Sequence, residues 1–336
     1  MSEILFSIIM PTYNSERTIA KALRSIREQD IPQECLEILV IDGGSKDKTV
    51  AIAKEYGAVV LENPHKVPEA AKCIGVVYAH GQWIIEQDSD EVFADKSQLR
   101  KRKEFLERNP QIFCLLADRL EPGKSSGISN AYLNYIGDPF TYIVHKNCFG
   151  SVVLNNKKYI WEKTTLGNIY RYKRQDILPI GDGGTSMINI WKLKELAGEK
   201  YCDESIVCSM ATFLIQQTEY AGCIPGDTVK HYSRATLRQY LRKQKFKVYN
   251  NLNHSTQSGF GTREKGNKTL SRRKFLFVLY CASIVVPLID SFKLSWRFRD
   301  KSMLLHFVYV YYIALRIVIE IVKKCFHIKK ESYHYG

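Results

Sequence analysis

The chain has 336 residues, 45% of them hydrophobic and 25% charged, which is ordinary globular usage and excludes a disordered chain. That length allows one large domain or two modest ones. The formal charge is +14, and the segment from Lys230 to the end holds 22 basic and five acidic residues, a balance of +17. The front is near neutral and the tail strongly basic.

Nine cysteines are scattered with no Cys-x-x-Cys pair. They match neither a disulfide framework nor a zinc site, and imply reduced thiols in a cytosolic compartment. Met1-Ser2-Glu3 supplies no basic region, and the apolar run Ile4–Met10 ends at Pro11, too soon for a signal peptide.

In chain order, Phe6–Met10 reads as a short buried strand stopped by Pro-Thr-Tyr-Asn. Asn14 or Ser15 caps a helix with Ile19, Ala22, Leu23 and Ile26 at helical spacing. Leu36–Ile41 is the second strand, followed by a helix around Thr49–Tyr56, with Ser45 or Asp47 as its cap. Ala58–Leu61, Glu69–Tyr78 and Trp83–Glu86 continue as strand, helix and strand. This alternation predicts an α/β fold, a mostly parallel sheet with flanking helices. Functional residues then belong at the carboxyl ends of the strands. Further on, the pattern predicts a helix near Ser97–Arg108, a strand near Ile112–Ala117 and a loop over Glu121–Asn130. A Gly-Asp-Gly-Gly-Thr turn at Gly181 and a helix over Trp191–Ala197 follow.

The tail changes character. Phe275–Ile289 carries no charge, and Met303–Val322 is apolar apart from His306, Arg316 and Glu320. Two hydrophobic helices are expected, about 272–290 and 302–323, within a basic region 231–336 that follows a catalytic domain over 1–230. The linker Ser291–Ser302 and both outer flanks are basic. A spanning hairpin would translocate that linker against the positive-inside tendency. In-plane or re-entrant helices keep every basic cluster on an anionic cytosolic membrane face, which is the reading preferred over two ordinary core helices. Nucleic acid is not the expected partner, because long apolar segments suit lipid better than a phosphate backbone.

Chemistry gathers at the strand ends. Asp88 and Asp90 follow Trp-Ile-Ile-Glu-Gln, and alternate carboxylates there suit one hard divalent cation. Asp42 ends the second strand beside two glycines, a setting that suits the hydroxyls and imide of a nucleoside. Tyr13 is placed to stack on a base, and Lys72 to meet a diphosphate.

Phe-Ser-Ile-Ile-Met-Pro-Thr-Tyr-Asn, Glu-Ile-Leu-Val-Ile-Asp-Gly-Gly-Ser-Lys-Asp-Lys-Thr and Gly-Gln-Trp-Ile-Ile-Glu-Gln-Asp-Ser-Asp-Glu together resemble a family 2 glycosyltransferase of the membrane-associated bacterial or archaeal type. The resemblance implies a GT-A (nucleotide-diphospho-sugar transferase) fold, a UDP- or GDP-linked sugar donor, and Mg2+ or Mn2+. By position, Pro11, Thr12, Tyr13 and Asp42 line its nucleoside site, and Asp88 and Asp90 are its metal and diphosphate motif. Gly183 and Gly184 match the glycine-rich segment near donor sugar and acceptor. The family's Glu-Asp pair, whose carboxylate deprotonates the acceptor, normally stands about a dozen residues before a Gly. Measured back from Gly222, those places hold Ser209 and Met210, and the nearest acids are Asp203 and Glu204. Either of these, or Asp182, is then the base, unless the two acids merely open a helix. His231 falls where some members place a third metal ligand, and Gln239 and Arg242 where related enzymes grip the diphosphate.

The expected function is inverting transfer of the sugar to a membrane-held acceptor such as a lipid-linked glycan. A polyprenyl-phosphate monoglycosyltransferase is the alternative, since a phosphate nucleophile needs no strong base. A non-catalytic nucleotide-sugar-binding membrane module is the third reading.

Overall fold

The computed structural model describes residues 4–124, 127–147, 150–173, 175–178, 185–233, 236–253 and 268–327. Strands β1 (Phe6–Thr12), β2 (Leu36–Asp42), β3 (Val59–Glu62) and β4 (Trp83–Glu86) form in the order the apolar runs predict. They pair in parallel as β3-β2-β1-β4. Burial on both faces explains their continuous apolar sequences: Ile8, Ile9, Val40, Ile84 and Ile85 are wholly buried.

The sheet continues with shorter strands. These are β6 (Cys114–Leu116), β8 (Ile160–Lys163), β9 (Asn168–Arg171), β10 (Met187–Asn189) and β11 (Tyr220–Cys223), which complete the order β3-β2-β1-β4-β10-β6-β11-β9-β8. A three-stranded sheet, β5-β12-β7, stands beside it, built from β5 (Glu91–Phe93), β7 (Arg119–Pro122) and β12 (Thr228–His231). Its strands have three or four residues each, too few to leave a period in the sequence. A buried ion pair anchors this sheet: Arg102 Nε lies 2.8 Å from Asp227 Oδ2, just before β12. Gln98 Nε2 also donates to Asp227.

The Pro68–Tyr78 helix crosses the strand ends closely because Gly75 lacks a side chain. An added Cβ there would collide with Ile9 on β1.

The C-terminal helices are Leu237–Asn253, Lys268–Ala282, Val285–Phe298 and His306–Cys325. Where the sequence predicts one helix over 272–290, the chain bends by 95° between Lys268–Ala282 and Val285–Phe298. Pro287 accounts for the break: it has no N–H to donate and its ring crowds the carbonyl four residues back. Tyr280 Oη donates to Asp290 Oδ2 across the bend at 3.1 Å. The expected linker 291–302 is correspondingly helical as far as Phe298. The segment Lys301–Cys325 is long and apolar enough to cross a membrane, with a mean hydropathy of 1.8 over its best window.

These helices dock on the segment 129–144 through aromatic and polar contacts. Tyr132 meets Tyr309 edge-to-face with ring centroids 4.7 Å apart, and the Tyr309 ring lies 4.3 Å from that of Tyr240. His306 is held between two phenols, Tyr132 Oη at 2.5 Å and Tyr280 Oη at 2.7 Å.

Candidate active site

A cleft of about 530 Å³ opens over the carboxyl ends of β1 and β4, where a parallel sheet is expected to place its ligands. Pro11, Thr12 and Tyr13 line one wall, and Asp88, Ser89, Asp90 and His231 another. Tyr13 is 56% exposed, its ring open for stacking. Asp42 is buried and is not part of the cleft lining. Its carboxylate accepts from the Gly44 and Ser45 backbone N–H groups at 3.0 and 2.8 Å and from Thr12 Oγ1 at 3.3 Å. It shapes the turn that presents Gly43 to the cleft.

The 88–91 turn is tightly held. Glu91 Oε2 accepts the Asp88 backbone N–H at 3.1 Å, and Ser89 Oγ meets Ser15 Oγ at 2.9 Å. Glu91 is buried, and burial together with the Asp88 charge pushes its carboxyl up to about 8. Asp90 Oδ2 lies 3.2 Å from His231 Nε2. Burial works against charge on Asp90, yet the His231 ring and the Lys243 ammonium hold its carboxyl below the ordinary range. Burial likewise opposes charge on His231, but Asp90, Glu91 and Asp88 outweigh it and raise the imidazole.

Among the described residues no three His, Cys, Asp or Glu side chains converge as a ready metal cage. Asp90 and His231 form a pair, with Asp88 on the same turn. That donor set fits Mg2+ or Mn2+, which are commonly held by one or two protein ligands plus substrate phosphate oxygens.

Lys72 lines the cleft, but its ammonium pairs with Glu86 Oε2 at 2.9 Å. Burial disfavours the charge, and the Glu86 and Asp88 carboxylates override it, holding Lys72 above its ordinary range. The other Glu86 oxygen is buried with no hydrogen-bond partner among the described residues.

Two sets of expected site residues lie outside the cleft lining, and a third lies outside the described residues. Asp203 and Glu204 stay out of the cleft lining; Asp203 opens the short Glu204–Val207 helix, and the chain reaches the cleft only at Val207–Thr212. Ser209 and Met210, at the family's acidic positions, therefore do line it. Gln239 and Arg242 are exposed and absent from the lining, and Gln239 Oε1 accepts from the Thr236 backbone at 2.9 Å. That helix buries Tyr240, Gln244 and Val248, so its cleft face carries Lys243, Phe246 and Lys247 instead. Gly183, Gly184 and Asp182 lie outside the described residues.

Sequence reasoning missed Glu69, Glu86, Lys243 and Asn134. Glu69 lines the cleft at the start of the Pro68–Tyr78 helix, close enough to Cys208 that, after burial, it is the next cause raising that thiol. Asn134 bonds the far side of the His231 ring at 2.8 Å.

The family model described as glycosyl transferase family 2 matches residues 7–162. That segment belongs to glycosyl transferase family 2. The domain is similar to the poly(ribitol-phosphate) beta-N-acetylglucosaminyltransferase TarS of Staphylococcus aureus, 31% identical over 110 residues, spanning 31% of this chain and 19% of TarS. It is also similar to a dolichyl N-acetyl-alpha-D-glucosaminyl phosphate 3-beta-D-2,3-diacetamido-2,3-dideoxy-beta-D-glucuronosyltransferase of Methanococcus voltae, 51% identical over 49 residues, 15% of each chain. The chain thus aligns with less than a third of the length of either relative. Among solved structures, the mannosyltransferase PcManGT of Pyrobaculum calidifontis, in complex with GDP-Man and Mn2+, superposes with a TM-score of 0.51 at 15% identity. That match covers 93% of this chain and 86% of PcManGT. The architecture around the family 2 domain is the GT-A fold.

Proposed function

We propose that this protein transfers a sugar from a UDP- or GDP-linked donor to an acceptor held at the cytosolic face of a membrane, with inversion in a single displacement. The observation that carries the reading is the cleft. It joins a stacking tyrosine, small-residue turns, a carboxylate–imidazole pair and two lysines at the strand ends of a family 2 domain. A cation held by Asp90 and His231, with Asp88, would neutralise the departing diphosphate. Lys243 and Lys247, which also line the cleft, would add positive charge. Tyr13 and the Gly43 turn would fix the nucleoside, which places the anomeric carbon deeper in the cleft.

Membrane attachment is supported by the C-terminal helices. Phe275 is 74% exposed and Trp296 86%, and Val278, Leu279, Ile284, Val285 and Phe292 are exposed with them. An apolar surface this continuous marks an interaction face. Arg272, Lys274, Lys293, Arg297 and Lys301 lie along the same helices, an arrangement that suits anionic headgroups around an in-plane helix.

The lining at Ser209 and Met210 favours a phosphate-bearing acceptor such as a polyprenyl phosphate, whose nucleophile needs no base. If the nucleophile is a hydroxyl, Glu69 is the cleft carboxylate left to take its proton. The test is a panel of UDP- and GDP-sugars incubated with the full-length protein, with and without Mn2+, in membranes supplying lipid acceptors. Cation-dependent transfer from one donor is expected, and no turnover of any donor by folded protein would reject the reading. Comparing Glu69→Gln then separates the acceptors. Loss of about 10²–10⁴-fold in turnover means a hydroxyl nucleophile, and unchanged turnover a phosphate.

A further inference from the structure

The far side of His231 shows how its ring is set. Asn134 Oδ1 lies 2.8 Å from His231 Nδ1. The amide of Asn134 can face only one way, because its Nδ2 donates to the Asn130 carbonyl at 2.9 Å and to Asn130 Oδ1 at 3.1 Å. Asn130 Nδ2 in turn donates to the His231 carbonyl at 3.1 Å, which closes the loop. Both asparagines are buried. A carboxamide oxygen carries no hydrogen, so the His231 Nδ1 must supply it, and Nε2 is left facing Asp90. An imidazole that binds a cation through Nε2 needs that tautomer and a fixed ring plane.

Asn130 and Asn134 stand one helical turn apart on the same face of the Asn130–Tyr135 helix. Tyr132, between them, is bonded to His306 and packed on Tyr309 and Tyr240. The helix that grips His231 is therefore braced from behind by the C-terminal helices.

We propose that Asn134, backed by Asn130, is a positioning residue that fixes the His231 ring with Nε2 aimed at Asp90 as a cation ligand. The inference rests on the reading of Asp90 and His231 as the cation pair. Its test is Mn2+ binding to the full-length protein with UDP present, read from the free-ion signal in electron paramagnetic resonance. Alongside it, ¹⁵N resonances of the histidine-labelled protein report the His231 tautomer.

Asn134→Leu should weaken Mn2+ binding by about 10–100-fold and release the tautomer. Asn134→Asp, which still accepts from Nδ1 but sets an oxygen against the two Asn130 acceptors, should keep the tautomer and lose less Mn2+ affinity than Asn134→Leu. Should Asn134→Leu not fold, Asn130→Ala leaves the ring bond but frees the amide, and should show a smaller loss in the same assay. Full Mn2+ affinity in Asn134→Leu, with affinity lost in His231→Ala, overturns the positioning role alone. Unchanged affinity in His231→Ala, or no Mn2+ binding by the unaltered protein, removes the cation pair itself and the positioning role with it.

Discussion

In the sheet, Ile8, Ile9, Val40, Ile84 and Ile85 are wholly buried, and polar groups gather where strands end at the cleft. The C-terminal helices are different, because polar groups enter their interior and large apolar side chains also stay outside. Beside Phe277, Leu294, Met303 and Ile313, that interior holds His306, Tyr280 and Tyr309, while Phe275, Leu279, Ile284, Phe292 and Trp296 are exposed. The first region is arranged as water demands, with apolar surface removed from it. The second leaves a share of its hydrocarbon outside, as the proposed lipid-facing surface would. The contact between them, Tyr132 with His306 and Tyr309, lies directly behind the asparagines that hold His231. The cleft's Asp90–His231 pair and the C-terminal helices thus share one brace.

Breaking the sheet side should have the largest effect on stability. Arg102 and Asp227 are both buried and paired, so Arg102→Met leaves a buried carboxylate without its counter-charge and should cost about 3–5 kcal/mol. A denaturant midpoint unchanged from the unaltered protein would show that the pair does not anchor β12.

Asp90→Asn keeps the shape of the turn and removes a cation-facing charge. Transfer should fall by about 10²–10³-fold, with the melting temperature nearly unchanged. Equal activity with the same Mn2+ requirement would take Asp90 out of the site.

A smaller and pH-dependent effect sharpens the other side of the comparison. Burial pushes His306 down to about 3, so the folded protein keeps it neutral while the unfolded chain protonates it near 6.5. The unfolded state binds the extra proton as pH falls from 6.5 towards 3. This group's contribution is therefore present above 6.5 and declines below it by about 1.4 kcal/mol per pH unit. In His306→Gln that part of the acid slope should disappear from denaturation curves in detergent, and an identical slope would mean His306 is solvated.

Legibility followed the length of each signal. β1, β2 and β4 were readable because long apolar runs stop abruptly at Pro-Thr-Tyr, Asp-Gly-Gly and Asp-Ser-Asp. The β5-β12-β7 sheet was not, since three or four residues carry no period. The sequence points to Gln239 and Arg242 where Lys243 and Lys247 line the cleft, because the register is decided by burial of Tyr240, Gln244 and Val248. Pro287 was visible in the sequence, and weighing it as a helix breaker would have located the bend. Asn134 and Asp227 had no local mark at all: their partners lie 97 and 125 residues away.

The proposed lipid-facing surface of the C-terminal helices is the central claim, and Trp296 reports on it most directly. In a variant with Trp83, Trp161 and Trp191 changed to Phe, its fluorescence should be quenched when the full-length protein binds anionic vesicles with brominated acyl chains. Emission as red-shifted and as unquenched as in water, with the protein bound to those vesicles, would contradict the claim.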